Sequence, residues 1–575
     1  MLIYTQSYNH GVISNLIARP LLCAVREEIR SSLHFTPKET DIYKIHQSGD
    51  LANLDGLDDD ALAQLPSLLE LRNALYSNTF RTYLSKIAGC ESLSGEKTDM
   101  AINIYTPGCH LLCHDDVIGS RRLSYILYLS DPEAAWQEEW GGALRLYPTS
   151  TVTDAEGKSI KTPSPDFSVS IPPAFNQLSF FAVRPGESFH DVEEVYASRE
   201  AQDEKQSDEQ RVRMAISGWY HIPQEGEDGY QAGLQKKITE QSSLVQLQGE
   251  GTTFDLPRPD VSSYGEKLAE SGKATATDDE VEDLSETDLD HLLKFIAPTY
   301  LTPDTLEELS NIFSEESSLT LDDFLSQKFS TRLRDFVERE EARSLPESAT
   351  GIEQSTTWRV ARPPFKHRYL YQQPSRTPSV VPNRMKSPIQ EIIEDLLPSS
   401  SFRKWLTLAT SVRLKSNNIL ARRFRRGHDY SLATPLENAD DQLELTLGMT
   451  PSDGWVPEHA DEDDSNNGTE KPRGDVGGYE VYLAGEDEDD SKQKSDPAVY
   501  SAKNKDGEDD DDGELFSSPA AWNTMTVVLR DKGVLKFVKY VSKQAKGDRW
   551  DCIGEYGVVP EDDTATEGST SHESR

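Results

Sequence analysis

The chain has 575 residues, of which 100 are acidic and 59 basic, giving a net charge of −41. That length predicts more than one domain with a sizeable core, and that acidity argues against direct nucleic-acid binding and for a basic protein partner. The five scattered cysteines (Cys23, Cys90, Cys109, Cys113, Cys552) predict a reducing compartment, and neither a leader-like start nor a bilayer-spanning stretch is visible.

Taken in chain order, Leu21, Leu22, Val25 and Ile29 recur at helical spacing after Pro20, and a second helix is predicted from Leu65 to Ile87. From Met100 the period changes to two. Strands are predicted at Met100–Tyr105, Leu111–His114, Leu123–Leu129, Ala143–Tyr147, Gln177–Val183 and Arg213–His221. Helices followed by a dense set of strands predict a mostly β fold with flanking helices (α+β), a double-stranded β-helix or jelly roll of the cupin-like kind, over residues 1–223. Residues 224–288 read as an acidic linker with a docked segment around Ser242 to Gln248. A second domain is predicted over 289–560, with helices at Leu306–Phe313, Leu321–Phe336 and Ile389–Leu397. Its strands are Tyr430–Ala433, Leu443–Leu447, Tyr479–Leu483, Asn523–Arg530 and Val534–Val541, split by an acidic insertion at 485–513 and followed by a disordered tail at 561–575.

The second domain reads as a repeat of the first. Asn176 to Gly186 matches Asn523 to Gly533 in length and alternation, Gly141-Gly142 has a counterpart in Gly477-Gly478, and Arg213 to Tyr220 lines up with Arg549 to Tyr556. Two tandem jelly rolls follow. Carried forward, that register sets Phe537 where the first domain has His190, and a weaker alignment of Tyr105–Gly108 with Phe424–Gly427 sets Ala433 and Pro435 where it has His114 and Asp116; none of those three can hold a metal, so only the first is expected to be catalytic.

His114 and Asp116 are two apart in a strand, which sets both on one face together with His110 and Leu112. A His-x-carboxylate pair with a distant second His, here His190, is the pattern that holds Fe(II) on one triangular face and leaves positions open for a co-substrate and oxygen. Another such pair, His459-x-Asp461, lies in an acidic run and reads as a solvated loop. Cys109, His110, Cys113 and His114 would suit half of a zinc site, but no matching pair follows. Arg213 opens an alternating strand where a buried guanidinium needs an anion, and its fork suits the distal carboxylate of 2-oxoglutarate; Tyr105 and Tyr128 would complete that pocket. Arg211 shares the face of Arg213, so alternation leaves both open as the anchor. The basic stretch Arg413 to Arg426 is read as a solvated face or one paired with the acidic runs.

The segments Gln47–Asn53, Ala74–Ser77, Leu111–Asp116, Tyr125–Leu129, Phe189–Val195 and Ser217–His221 resemble the fungal and animal prolyl hydroxylases that modify a ribosomal decoding-centre protein. Arg425 to Tyr430 and Gly477 to Tyr479 extend that resemblance more loosely into the second half. The resemblance implies an Fe(II)/2-oxoglutarate-dependent dioxygenase that uses O2, is supported by ascorbate, and hydroxylates a prolyl residue in a small-subunit ribosomal protein, at C3 alone or at C3 and C4. It implies His114, Asp116 and His190 as iron ligands, and Tyr128 and Arg213 as 2-oxoglutarate contacts. It further implies a nuclear and cytoplasmic protein acting on translation termination, with termination factors as partners. The alternative it leaves open is an oxygen-sensing regulator whose second domain controls the stability of a transcription factor. One departure is an acidic insertion between His190 and Arg213, from Ser198 to Glu209, expected to loop out between strands.

Overall fold

The computed structural model describes residues 2–4, 9–51, 54, 62–153, 157, 159–198, 211–248, 254–264, 283–375, 386–436, 440–456, 475–485 and 513–560. The acidic run at 278–280, nearly all of the insertions that follow Ser198 and Gly485, the His459-x-Asp461 pair and the tail after 560 lie outside the described residues.

The first half begins with β1 (His10–Ser14) and α1 (Arg19–Ser32), whose first turn holds Pro20 and whose stripe of Leu22, Val25 and Ile29 is fully buried. After β2 (Tyr43–Gln47) the helix expected over 65–87 is two helices, α2 (Pro66–Leu75) and α3 (Asn78–Ala88). Ser77 makes the break. Its hydroxyl accepts the Phe80 amide and caps α3, so the apolar periodicity continues across a change of axis.

Strands β3 (Thr98–Tyr105), β4 (His110–His114), β5 (Arg121–Tyr128), β6 (Leu144–Leu146), β7 (Val169–Ile171), β8 (Gln177–Ala182), β9 (His190–Val192) and β10 (Arg213–His221) complete this half. They pair antiparallel in the order β1-β8-β5-β10-β3-β2-β4-β9-β6-β7, a curled sheet of the double-stranded β-helix kind. Alternation divides its faces. Leu123, Tyr125, Leu127, Met214, Ile216 and Tyr220 pack under α1 to α3, while Ile126, Tyr128, Phe181 and Ala215 turn inward with Leu144 and Leu146. After a further helix, α4 (Leu234–Thr239), the segment expected around Ser242 to Gln248 forms α5 (Ser243–Gln248), and Asp115 holds it by accepting both the amide and the hydroxyl of Ser243, at 3.0 and 2.8 Å.

The second half contains α6 (Pro303–Glu316), β11 (Ser318–Leu321), α7 (Gln327–Glu341), β12 (His367–Arg368) and α8 (Ser400–Thr410). The helix expected from Leu321 is therefore corrected: Leu319 and Leu321 alternate into the core as a strand, and the helix starts only at Gln327. Strands β13 (Leu414–Phe424), β14 (Tyr430–Thr434), β15 (Gln442–Met449), β16 (Glu480–Leu483), β17 (Glu514–Ser518), β18 (Trp522–Arg530), β19 (Leu535–Val538) and β20 (Arg549–Val558) follow. One sheet runs β11-β18-β15-β20-β13 and a second β12-β14-β19-β16-β17. Taken together the two sheets repeat the strand order of the first half, but they are separate where the first half pairs β3 with β2, and the larger one continues past β13 through Leu370–Gln372 and Arg359–Val360.

The register shifts the sequence alignment by one residue on two strands. His190 lies opposite His114 and Leu146, whereas Lys536 lies opposite Thr434 and Tyr482. The counterparts of His114, Asp116 and His190 are thus Thr434, Leu436 and Lys536, not Ala433, Pro435 and Phe537. The turn after β13 is one residue longer than that after β3, and Lys536 lies 13 residues past Asn523 where His190 lies 14 past Asn176, which an ungapped alignment cannot register. The pairing of Arg213 with Tyr105 and of Arg549 with Phe424 agrees with the alignment.

The basic stretch 413–426 is corrected more strongly. It forms β13, a central strand with Arg422 and Arg423 buried, because each guanidinium meets a buried carboxylate: Arg422 pairs with Asp551 and Glu480, and Arg423 with Asp548.

Candidate metal centre

His114 ends β4, His190 opens β9, and the two strands pair so that these residues are directly opposite. Asp116 follows two residues after His114 with φ of 60°, a left-handed backbone that turns its carboxylate back toward the imidazoles. Ligating atoms of the three lie within 4.8 Å of one another, and among the described residues this is the cluster of His, Cys, Asp and Glu fit for a metal. Cys109 and Cys113 are outside it, the latter buried among Tyr147, Phe189 and Phe365.

Simple alternation does not give this geometry. Between Leu111 and His114 the register against β9 slips by one residue, a β-bulge. The bulge lets Leu111 pack with Tyr105 and Val192 while His114 also turns inward, and it sends Leu112 to the opposite side, against Tyr430, Leu432 and Tyr540. His110, expected on the face of His114, instead stacks on Tyr540 with ring centroids 4.3 Å apart.

The histidines are pre-set as ligands. Nδ1 of His114 lies 2.7 Å from the Leu112 carbonyl and Nδ1 of His190 2.8 Å from that of Ser188, so each Nδ1–H donates to backbone and each Nε2 faces the Asp116 carboxylate, at 3.3 and 3.5 Å. Burial, with the neighbouring His114, pushes His190 down to about 4, so it is neutral at neutral pH. Burial works against the charge of Asp116, but His190, His114 and Arg121 hold its carboxyl well below the ordinary carboxylate range. The Trp219 indole donates to Asp116 Oδ2 at 2.9 Å, and Arg121 stacks 3.5 Å from the Trp219 ring centroid.

Beside this cluster lies a basic socket. Arg213 is 1% exposed, its Nε donates to the Gly142 carbonyl at 2.8 Å, and its guanidinium sits 4.5 Å from the Tyr105 ring centroid and 5.1 Å from that of Tyr128. Its Nη2 and the Tyr128 hydroxyl are buried without a hydrogen-bond partner. Two orphaned donors converging in an apolar wall fit the carboxylate of a dicarboxylic acid. Arg211, which alternation left open, lies elsewhere, over Trp140 and bonded to the Tyr196 carbonyl.

The second barrel has filled the same space. Arg549, the counterpart of Arg213, donates to the Gly478 carbonyl and pairs with Asp551 at 3.0 Å; Asp551 stands where the first half has Ala215. Lys536, in the place of His190, is held by Glu444 and Glu480, and Gly448 stands at the position of Tyr128. Among the described residues no ligand socket of the first kind survives there.

Trp219 and Gly142 are functional positions that sequence reasoning did not assign. Trp219 was findable, because Arg213, Ala215, Ser217 and Trp219 share one face of β10. Gly142 was not, since its carbonyl matters only once β6 and β10 are brought together.

Residues 100–221 match the family model of the 2OG-Fe(II) oxygenase superfamily, and residues 287–564 match one described as the oxoglutarate and iron-dependent oxygenase degradation C-terminal region. A curated Ostreococcus tauri protein named prolyl 3,4-dihydroxylase OGFOD1 is 32% identical over 544 residues, covering 92% of this chain and 91% of its own. The chain belongs to the OGFOD1 family. It is an Fe(II)- and 2-oxoglutarate-dependent oxygenase, with Fe(II), 2-oxoglutarate and O2 as the family's requirements. The mouse protein named prolyl 3-hydroxylase OGFOD1 is 35% identical over 216 residues, 37% of this chain and 33% of its own. A solved Pseudomonas putida prolyl-4-hydroxylase is similar over 38% of this chain and 93% of its own, at 20% identity and a TM-score of 0.25.

Proposed function

We propose that the chain hydroxylates a prolyl residue in a basic small-subunit ribosomal protein, with His114, Asp116 and His190 holding Fe(II), and with Arg213, Tyr128 and Tyr105 holding 2-oxoglutarate. The observation that carries this reading is the pair of orphaned donors, Arg213 Nη2 and Tyr128 OH, beside a two-histidine, one-carboxylate set. Fe(II), when bound, supplies the activation of oxygen that couples decarboxylation of 2-oxoglutarate to succinate with insertion of the second oxygen atom into a ring C–H bond.

The chain's own residues supply the rest. Arg213 and Tyr128 orient the distal carboxylate so that the keto-acid end points at the ligand cluster. Tyr105 closes the socket with its ring against the guanidinium, and the apolar wall of Ile126, Leu144, Leu146, Phe181 and Ala215 excludes water. Trp219 and Arg121 fix the rotation of Asp116.

A ribosomal substrate is supported by charge. A net −41 attracts a cationic protein and repels bare RNA. Such a substrate places the protein in cytoplasm and nucleus, where ribosomal proteins are made and assembled, and links it to translation termination; ascorbate keeps the metal ferrous between turnovers. A second reading is favoured by the degradation-region description of residues 287–564: the second half binds a regulatory partner, and the first makes that binding oxygen-dependent.

Incubation of the full chain with the purified small-subunit protein, Fe(II), 2-oxoglutarate and O2 tests the reading. It expects succinate and a prolyl residue carrying one added oxygen, both lost in His114→Ala. Succinate formation with no modified proline would contradict the substrate assignment.

A further inference from the structure

Glu194 lies four residues past His190, just beyond β9, and is 1% exposed. A buried carboxylate is costly unless donors surround it, and all three of its donors come from the second half: the Tyr540 hydroxyl at 3.2 Å, the Ser542 hydroxyl at 2.5 Å and the Lys543 amide at 2.8 Å. Its own backbone faces the other way. The Glu194 carbonyl accepts the Gly142 amide at 3.1 Å, and the Gly142 carbonyl accepts Arg213 Nε at 2.8 Å. Three consecutive links thus join a loop of the iron-free half to the arginine of the anion socket.

The joint has little slack. A Cβ at Gly141 would collide with the Glu194 carbonyl, and one at Gly142 would press on Arg213 Cδ, Trp136 and Val195, each at 3.2 Å. Val195 bonds on both sides, its amide to the Cys109 carbonyl and its carbonyl to the Gly108 amide. Nearby, Phe189 stacks on Phe365 of the second half with centroids 5.1 Å apart. The backbone from 189 to 195 is therefore clamped by the second half on its outer side, and the carbonyl that aims Arg213 rests on its inner side.

We propose that Glu194 is a positioning residue through which the iron-free second half sets the affinity of the first half for 2-oxoglutarate. The proposal rests on Arg213 being the anchor of that dicarboxylate, as argued above. Anything that moves the 540–543 loop, including a protein bound to the second half, then reads out as a change in co-substrate affinity. Glu194 acts through Gly142 and touches neither substrate nor metal.

The test is calorimetric titration of 2-oxoglutarate into the anaerobic, Fe(II)-loaded full chain, with turnover kinetics alongside. Tyr540→Phe and Ser542→Ala each remove one donor and little volume. Together they should raise the 2-oxoglutarate Kd and KM about tenfold, the size that loss of an outer-shell partner has. The affinity for Fe(II) alone and kcat at saturating 2-oxoglutarate should hold within about twofold, which a general loss of structure would not give. Glu194→Gln, which keeps an acceptor oxygen, should fall between wild type and Glu194→Ala. An unchanged Kd in the double variant, or equal losses in Fe(II) and 2-oxoglutarate affinity, would overturn the coupling. A wild-type chain that binds no 2-oxoglutarate would instead overturn the anchor assignment, and the coupling with it.

Discussion

At the scale of single residues the site turns on what Arg213 and Trp219 each hold. Arg213 presents a fork to a carboxylate, and a lysine would keep the charge but lose the two-pronged bond. Arg213→Lys is expected to weaken 2-oxoglutarate binding by about 2 kcal/mol, roughly thirtyfold, at unchanged thermal stability, measured by titration and by melting. Trp219→Phe keeps the ring under Arg121 and removes only the N–H that reaches Asp116. It should cost roughly tenfold to hundredfold in apparent Fe(II) affinity, and a variant with wild-type iron binding would show that the indole bond does not orient the ligand. The sequence carried these residues unevenly. His114, Asp116, His190 and Arg213 stand out because buried charge and imidazole need a reason to be in strands, whereas Gly142 acts through a carbonyl, which every residue has.

At the scale of elements, alternation and register were separable problems. The inward faces of β5, β8 and β10 follow from period two, and the break between α2 and α3 could be anticipated from Ser77 once a capping role was considered. The bulge in β4 could not, because one extra residue against β9 depends on which strand is the neighbour. For the same reason β13 was misread: Arg422 and Arg423 look solvated until Asp551, Glu480 and Asp548 arrive from distant segments to meet them. The register also moves the counterpart of His190 to Lys536, whose ammonium is held by Glu444 and Glu480. Lys536→Met leaves those carboxylates short of a partner inside the barrel and is expected to destabilise the second half by about 3 kcal/mol, followed by denaturant unfolding. Iron affinity should not change; a loss of iron from the folded variant would contradict the assignment of the second barrel as inert.

At the scale of the whole molecule, two barrels of one strand order have diverged by what fills them. The first keeps a socket beside Ala215 and Tyr128, and the second closes the matching space with Asp551, Arg422, Glu480 and Lys536. Between the halves lies a square of alternating charges, Lys44 and Lys539 against Glu39 and Asp475. Burial works against the charge of Asp475, yet Lys539 and Lys44 hold its carboxyl down to about 2. A depressed carboxylate stabilises the fold above its unfolded pKa of about 4 and loses that contribution as pH falls toward the folded value. The contact between halves is therefore expected to loosen between about pH 4 and pH 2, seen as faster proteolysis of the linker, and Asp475→Asn should remove that acid step. The recurring strand order was legible in the sequence as repeated glycine pairs and arginines, but the way the halves meet was not, since Glu194 and Tyr540 reveal nothing until they touch.

The central claim is that one half of this molecule holds iron and the other cannot. Anaerobic titration of the full chain with Fe(II) in the presence of 2-oxoglutarate tests it most directly. The account predicts a weak visible charge-transfer band that saturates at a single iron per chain and is absent in His114→Ala. A band that survives in that variant, or a second equivalent of iron bound with the same signature, would contradict it.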